Sequence, residues 1–63
     1  MDTYIYSKKI LIVDDEPALL NMVKNILEEA GFKNIVLAGT MAEALAKFQS
    51  EFPDMAVLDV MTS

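Results

Sequence analysis

Cysteine and histidine are both missing from the 63 residues, and arginine with them. Without cysteine there is no disulfide framework. Without either residue the usual zinc ligands are gone, so any metal bound here must be a hard ion held by oxygen, such as magnesium. Lysine is the only cation, five residues against ten acids, and a net charge of −5 argues against nucleic acid or an anionic membrane as partner. No apolar run approaches the roughly 20 residues of a membrane span, and the amino terminus has neither the basic start nor the apolar stretch of a signal peptide. A cytoplasmic location is expected. Two glycines and two prolines are too few for a disordered composition, and the 54 % of hydrophobic residues resembles the core of a larger domain. A chain this short forms one small domain at most and buries only about 60 % of the surface it exposes when unfolded.

What the chain does have is an apolar run that stops abruptly at acid. Ile10-Leu11-Ile12-Val13 is followed by Asp14-Asp15-Glu16 and then Pro17. Four apolar residues in a row, most of them β-branched, read as a strand covered on both faces, which is the habit of parallel sheets. Its carboxyl tip then carries adjacent carboxylates. Like charges about 4 Å apart cost on the order of 4 kcal/mol at an effective dielectric near 20, so the pair calls for a compensating cation or shifted pKa values. A divalent metal is one answer. Helix capping is the other: Asp15 or Glu16 can accept from orphan N–H groups while Pro17 takes the first helical position, although one acid suffices for that.

From Pro17 the apolar residues Leu19, Leu20, Val23, Ile26, Leu27 and Ala30 recur at helical spacing, and Gly31 suits the left-handed position that closes a helix. Asn34 to Ala38 reads as a second short strand. Thr40-Met41-Ala42-Glu43 fits a capping box, and the helix it opens, with Ala42, Leu45, Ala46, Phe48 and Phe52 on its apolar face, must stop before Pro53. Met55 to Val60 is a third apolar run with an acid, Asp59, near its end. Met1 to Ser7 is a lead-in of partial order, to which no function is assigned.

Strand, helix, strand, helix and strand with short connections predict an α/β fold with parallel strands and right-handed crossovers. The expected order is 2-1-3, with one helix on each face. At the point where that order reverses, ligands bind outside the carboxyl ends of the strands, and Asp14, Asp15 and Asp59 all arrive there.

On ILIVDDEP, the helix end Ala30-Gly31-Phe32, Glu43-Ala44-Leu45, Pro53-Asp54 and Val57-Leu58-Asp59-Val60-Met61, the chain resembles the first half of a response-regulator receiver domain, the module that accepts a phosphoryl group from a histidine kinase. The resemblance implies the β-α-β-α-β half of a doubly wound, flavodoxin-like parallel sheet spanning residues 8–63. It implies a phosphoacceptor of a two-component phosphorelay rather than an enzyme, with Asp59 taking the phosphoryl group. Asp14, Asp15, Asp59 and the backbone carbonyl of Met61 would then hold Mg2+ or Mn2+. The chemistry agrees, since attack by a carboxylate on phosphorus is helped mostly by positioning and by neutralising charge on the phosphoryl oxygens.

The departure is at the end of the chain. The family continues through further strands bearing a Ser/Thr and a Lys that touch the phosphoryl oxygens, and Lys9 and Lys47 are in the wrong places to substitute. Phosphorylation is therefore expected to be impaired. A different expectation is a self-associating half-domain, a homodimer formed through the edge of the third strand and the bare faces of the sheet, without signalling activity. A metal-dependent phosphohydrolase fits poorly, because its second acid would be spaced Asp-x-Asp and here the two are adjacent.

Overall fold

In the computed structural model, which describes residues 4–58, the run Ile10 to Val13 lies at the centre of a three-stranded parallel sheet. The middle strand, β1 (Lys9–Val13), has β2 (Asn34–Ala38) on one side and β3 (Met55–Leu58) on the other, so the order is the expected 2-1-3. Two helices make the crossovers, α1 (Pro17–Ala30) and α2 (Met41–Glu51). Strands pair in parallel with Ile10 opposite Ile35 and Met55, and Val13 opposite Ala38 and Leu58.

Burial alternates along β1 between two cores, because successive side chains of a strand point to opposite faces. Ile10 and Ile12 pack with Leu20 of α1, joined by Val23, Leu27, Ile35 and Leu37. Leu11 and Val13 pack with Ala38 and Ala44 of α2, joined by Val36. One helix covers each face, which is why β1 has no polar alternation. β3 differs: all four of its residues are exposed.

The helix ends follow the expected chemistry in part. Gly31 adopts φ 116°, and the N–H groups of Gly31 and Phe32 donate to the carbonyls of Glu28 and Leu27, which closes α1. A Cβ on Gly31 would also come within 3.2 Å of the Tyr6 ring, a tight contact added to the backbone strain that the positive φ imposes on any other residue. At α2, the Thr40 hydroxyl accepts from the Glu43 N–H at 3.1 Å as the capping box requires. The Glu43 carboxylate, however, reaches one residue further back and accepts from the N–H of Gly39 at 2.9 Å. The helix stops at Glu51, with Phe52 in the left-handed region at φ 49° just before Pro53.

Two expectations need correction. The apolar face assigned to α2 does not face the sheet: Leu45 is 61 % exposed, Phe48 53 % and Phe52 79 %, and the residue that docks is Ala44. Ala44 lies about 100° around the helix from Leu45. Its small side chain lets the helix approach β1 and β2, leaving the larger residues outside the contact line. The lead-in also holds more structure than expected. Tyr4–Ser7 is a 3₁₀ turn whose Tyr6 ring meets Phe32 edge-on at 5.1 Å, while the Tyr6 and Ser7 carbonyls accept from Lys33 N–H and Asn34 Nδ2. These contacts tie the segment to the α1–β2 connection.

Candidate functional site

The β1 ladder runs one step past the strand, where the N–H of Asp14 donates to the carbonyl of Ala38 at 3.1 Å. Asp14 is thereby fixed at the carboxyl end of the sheet and is half-buried, while Asp15 and Glu16 are exposed. The predicted capping by Asp15 or Glu16 is not made. Glu16 occupies the cap position without a side-chain capping hydrogen bond, and Pro17 opens the helix. Instead Asp14 Oδ1 accepts from the N–H of Glu16 at 2.9 Å, an Asx-type turn that bends the chain from strand into helix.

That arrangement separates the roles of the two acids. Asp14 has a structural task for one of its oxygens, and among the described residues the other accepts no hydrogen bond. Asp15 has none, since among the described residues its side chain makes no hydrogen bond and no ion pair. Both carboxylates sit before the amino end of α1, whose unpaired N–H groups favour negative charge. No described lysine compensates them. The one ion pair among the described residues joins Lys9 Nζ to Glu51 Oε1 at 2.9 Å, at the opposite end of the sheet. Carboxylates without a compensating lysine are oxygen donors of the type that hard divalent cations take.

The third acid is not in view. Asp59 and the backbone carbonyl of Met61 lie outside the described residues, and among those that are described no group of three acids is gathered closely enough to hold a metal.

A second polar constellation was not anticipated from the sequence. At the amino end of β1 the N–H of Lys9 donates to Asp54 Oδ2 at 2.8 Å, and the N–H of Asp54 donates back to the Lys9 carbonyl at 2.8 Å. The Lys9 ammonium reaches over to the Glu51 carboxylate and the Glu51 carbonyl, at 2.9 and 3.0 Å. The only sequence signal was an aspartate after proline at the start of an apolar run.

The Lys9 hydrogen bond, and then its charge, hold the Glu51 carboxyl below its ordinary value of 4.5, with Lys47 adding slightly. A lowered folded-state value means the stabilisation is present above pH 4.5 and is lost as pH falls through the lower folded value. Glu51 is exposed, so solvent screening keeps the effect small. In an NMR titration the Glu51 side-chain carbonyl should show a midpoint below 4.5, and Lys9→Met should return it to the ordinary range.

Comparisons with known proteins bear on the whole of this region. The model of the response regulator receiver domain matches residues 10–62. The chain is 46 % identical over 52 residues to the transcriptional regulatory protein YvrH of Bacillus subtilis, covering 82 % of this chain and 22 % of that protein. It is 44 % identical over 55 residues to the alkaline phosphatase synthesis transcriptional regulatory protein PhoP of the same organism, covering 87 % and 22 %. With the transcriptional regulatory protein TrcR of Mycobacterium tuberculosis it shares 47 % identity over 53 residues, covering 84 % and 20 %. The chain thus spans about a fifth of the length of the curated relatives it matches. No solved structure matches it.

Proposed function

The chain belongs to the response regulator receiver domain family, and from that premise we propose that it accepts a phosphoryl group on Asp59 from a histidine kinase. One observation carries the reading: β1 and β3 run parallel with Val13 opposite Leu58, and the next residues in the chain are Asp14 and Asp59. A carboxylate oxygen of Asp59 would form the new bond to phosphorus as the bond from phosphorus to the donor breaks, the leaving group keeping the electron pair.

Asp14 and Asp15, with Asp59 and the Met61 carbonyl, are the oxygens proposed to hold magnesium or manganese. When bound, such an ion supplies neutralisation of charge on the phosphoryl oxygens. Asp14 is held for this by its Asx turn and its bond to Ala38, and Asp15 is exposed to take a cation directly. Substitutions outside the ligand shell already weaken metal sites about 10- to 100-fold, so Asp15→Asn should weaken magnesium binding roughly tenfold or more. Calorimetric titration of the folded chain checks this. Absence of a saturable site, or equal binding by the Asp14, Asp15 and Asp59 triple amide variant, would reject the assignment.

A second reading, self-association, is favoured by β3, where Met55, Val57 and Leu58 are 53 %, 45 % and 51 % exposed. We propose that this uncovered strand pairs with its copy in a homodimer.

A further inference from the structure

Side-chain burial gives the register of β3 on β1 little definition. A one-residue slip of a strand turns every side chain to the other face, and register is strongly set only where one face is buried and the other is not. Met55, Ala56, Val57 and Leu58 are exposed on both faces alike, and all four are apolar, so neither face distinguishes the observed register from its neighbours. Yet the pairing is definite, Ile10 with Met55 through Val13 with Leu58.

What distinguishes it is the residue immediately before the strand. Asp54 makes a two-membered exchange with Lys9, its carboxylate accepting from the Lys9 N–H and its own N–H donating to the Lys9 carbonyl, both at 2.8 Å. Both backbone groups of Lys9 are engaged by this one residue, and only one alignment of the two chains permits both bonds. The Lys9 ammonium binds Glu51 at the end of α2, two residues before Pro53, which anchors the connection from the other side. Pro53 fixes its own φ near −65° and restricts Phe52, so the short link from Glu51 to Asp54 has little slack.

We infer that Asp54 is a positioning residue whose clamp on Lys9 sets the β3 register, and thereby the level of the strand end that precedes Asp59 in the chain. The consequence for Asp59 rests on the phosphoacceptor reading; the register itself does not. A slip of one residue would carry the strand end about 3.3 Å along the sheet and turn its side chain to the opposite face.

The decisive experiment inserts one alanine between Asp54 and Met55 in the whole chain. The insertion leaves the clamp intact and removes no buried residue. If the clamp governs, the inserted alanine takes the place of Met55 and every later residue moves on by one, so that cross-strand NMR contacts link Ile12 to Ala56 instead of Val57. If Ile12 still meets Val57, the connection has absorbed the extra residue and the inference is overturned. Asp54→Ala should speed exchange of the Lys9 amide roughly fivefold or more, as loss of one net hydrogen bond implies, and should give contacts from more than one register. Asp54→Asn keeps the acceptor and should restore a single register, a rescue that a generic loss of stability would not show. A single unchanged register in Asp54→Ala would also overturn the inference. Should Asp54→Ala fail to fold, the insertion decides alone. Magnesium titration separates the two readings: the insertion should bind as weakly as Asp59→Asn, whereas a shifted register with affinity unmoved in both variants would reject the metal site and leave the clamp standing.

Discussion

Incubation of the chain with a small phosphodonor such as acetyl phosphate and magnesium is expected to add one phosphoryl group slowly, and none to Asp59→Asn. The loss in that variant is complete because an amide is not a nucleophile of useful strength. The low rate in the unsubstituted 63-residue chain has a separate cause. Among the described residues the carboxyl end of the sheet presents carboxylates and backbone N–H groups, while the lysine on β1 is committed to Glu51 at the far end. Removal of one preorganised charge-stabilising donor commonly slows a reaction about 10²- to 10³-fold. Intact-mass measurement against time gives the rate, and cleavage of the adduct by hydroxylamine identifies an acyl phosphate rather than a phosphate ester. Equal labelling of Asp59→Asn would remove Asp59 from its role. Rapid, stoichiometric labelling of the unsubstituted chain would show that a lysine at the site is dispensable.

The features legible in the sequence were those written in short-range signals. An uninterrupted apolar run reads as a strand covered on both faces, and β1 is one, with Ile10 and Ile12 in one core and Leu11 and Val13 in the other, whereas the equally apolar β3 is exposed. Gly31 and the Thr40–Glu43 pair mark helix ends because each satisfies backbone groups within a few residues. Parallel pairing followed from the short connections, and the order 2-1-3 from placing one helix on each face of the first strand. Other features depended on geometry that periodicity does not carry. The spacing of Leu45, Phe48 and Phe52 identifies an apolar stripe, but not whether any surface lies beneath it; α2 sits over β1 and β2 on Ala44, and the stripe is left exposed. In the same way Asp15 and Glu16 have the composition of caps, but Asp14 makes the turn, and among the described residues the Asp15 side chain makes no hydrogen bond. The clamp of Asp54 on Lys9 joins residues far apart in sequence and was invisible without the fold.

Val57→Lys is expected to convert a dimer to a poorly folded monomer, and the argument begins from symmetry. A parallel pair of strands is not symmetric about a two-fold axis, because its two members use their N–H and C=O groups in different phase, so identical edges related by a two-fold must pair antiparallel. The axis is then normal to the sheet, and faces are preserved across it. Residues directly opposite in an antiparallel pair share a face, so a residue at the centre of β3 must pair with its own copy. The centre is Ala56 or Val57. With Val57 at the centre, Val57→Lys sets two ammonium groups directly opposite each other; with Ala56 there, the two lysines are diagonal neighbours about 7–8 Å apart. Either way like charge replaces apolar contact along the row that carries Met55 and Val57, beside an edge with no proline or lysine of its own to discourage pairing. A domain of this size is stable by only about 0.05–0.15 kcal/mol per residue, so loss of the interface threatens the fold as well. Light scattering coupled to size exclusion should report a dimer for the unsubstituted chain and a monomer for Val57→Lys, with a thermal midpoint that rises with concentration only in the former. Asn25→Lys, which adds the same charge to an exposed position on α1, should leave the mass unchanged. A compact monomer that unfolds cooperatively at micromolar concentration, or a Val57→Lys dimer, would refute the pairing.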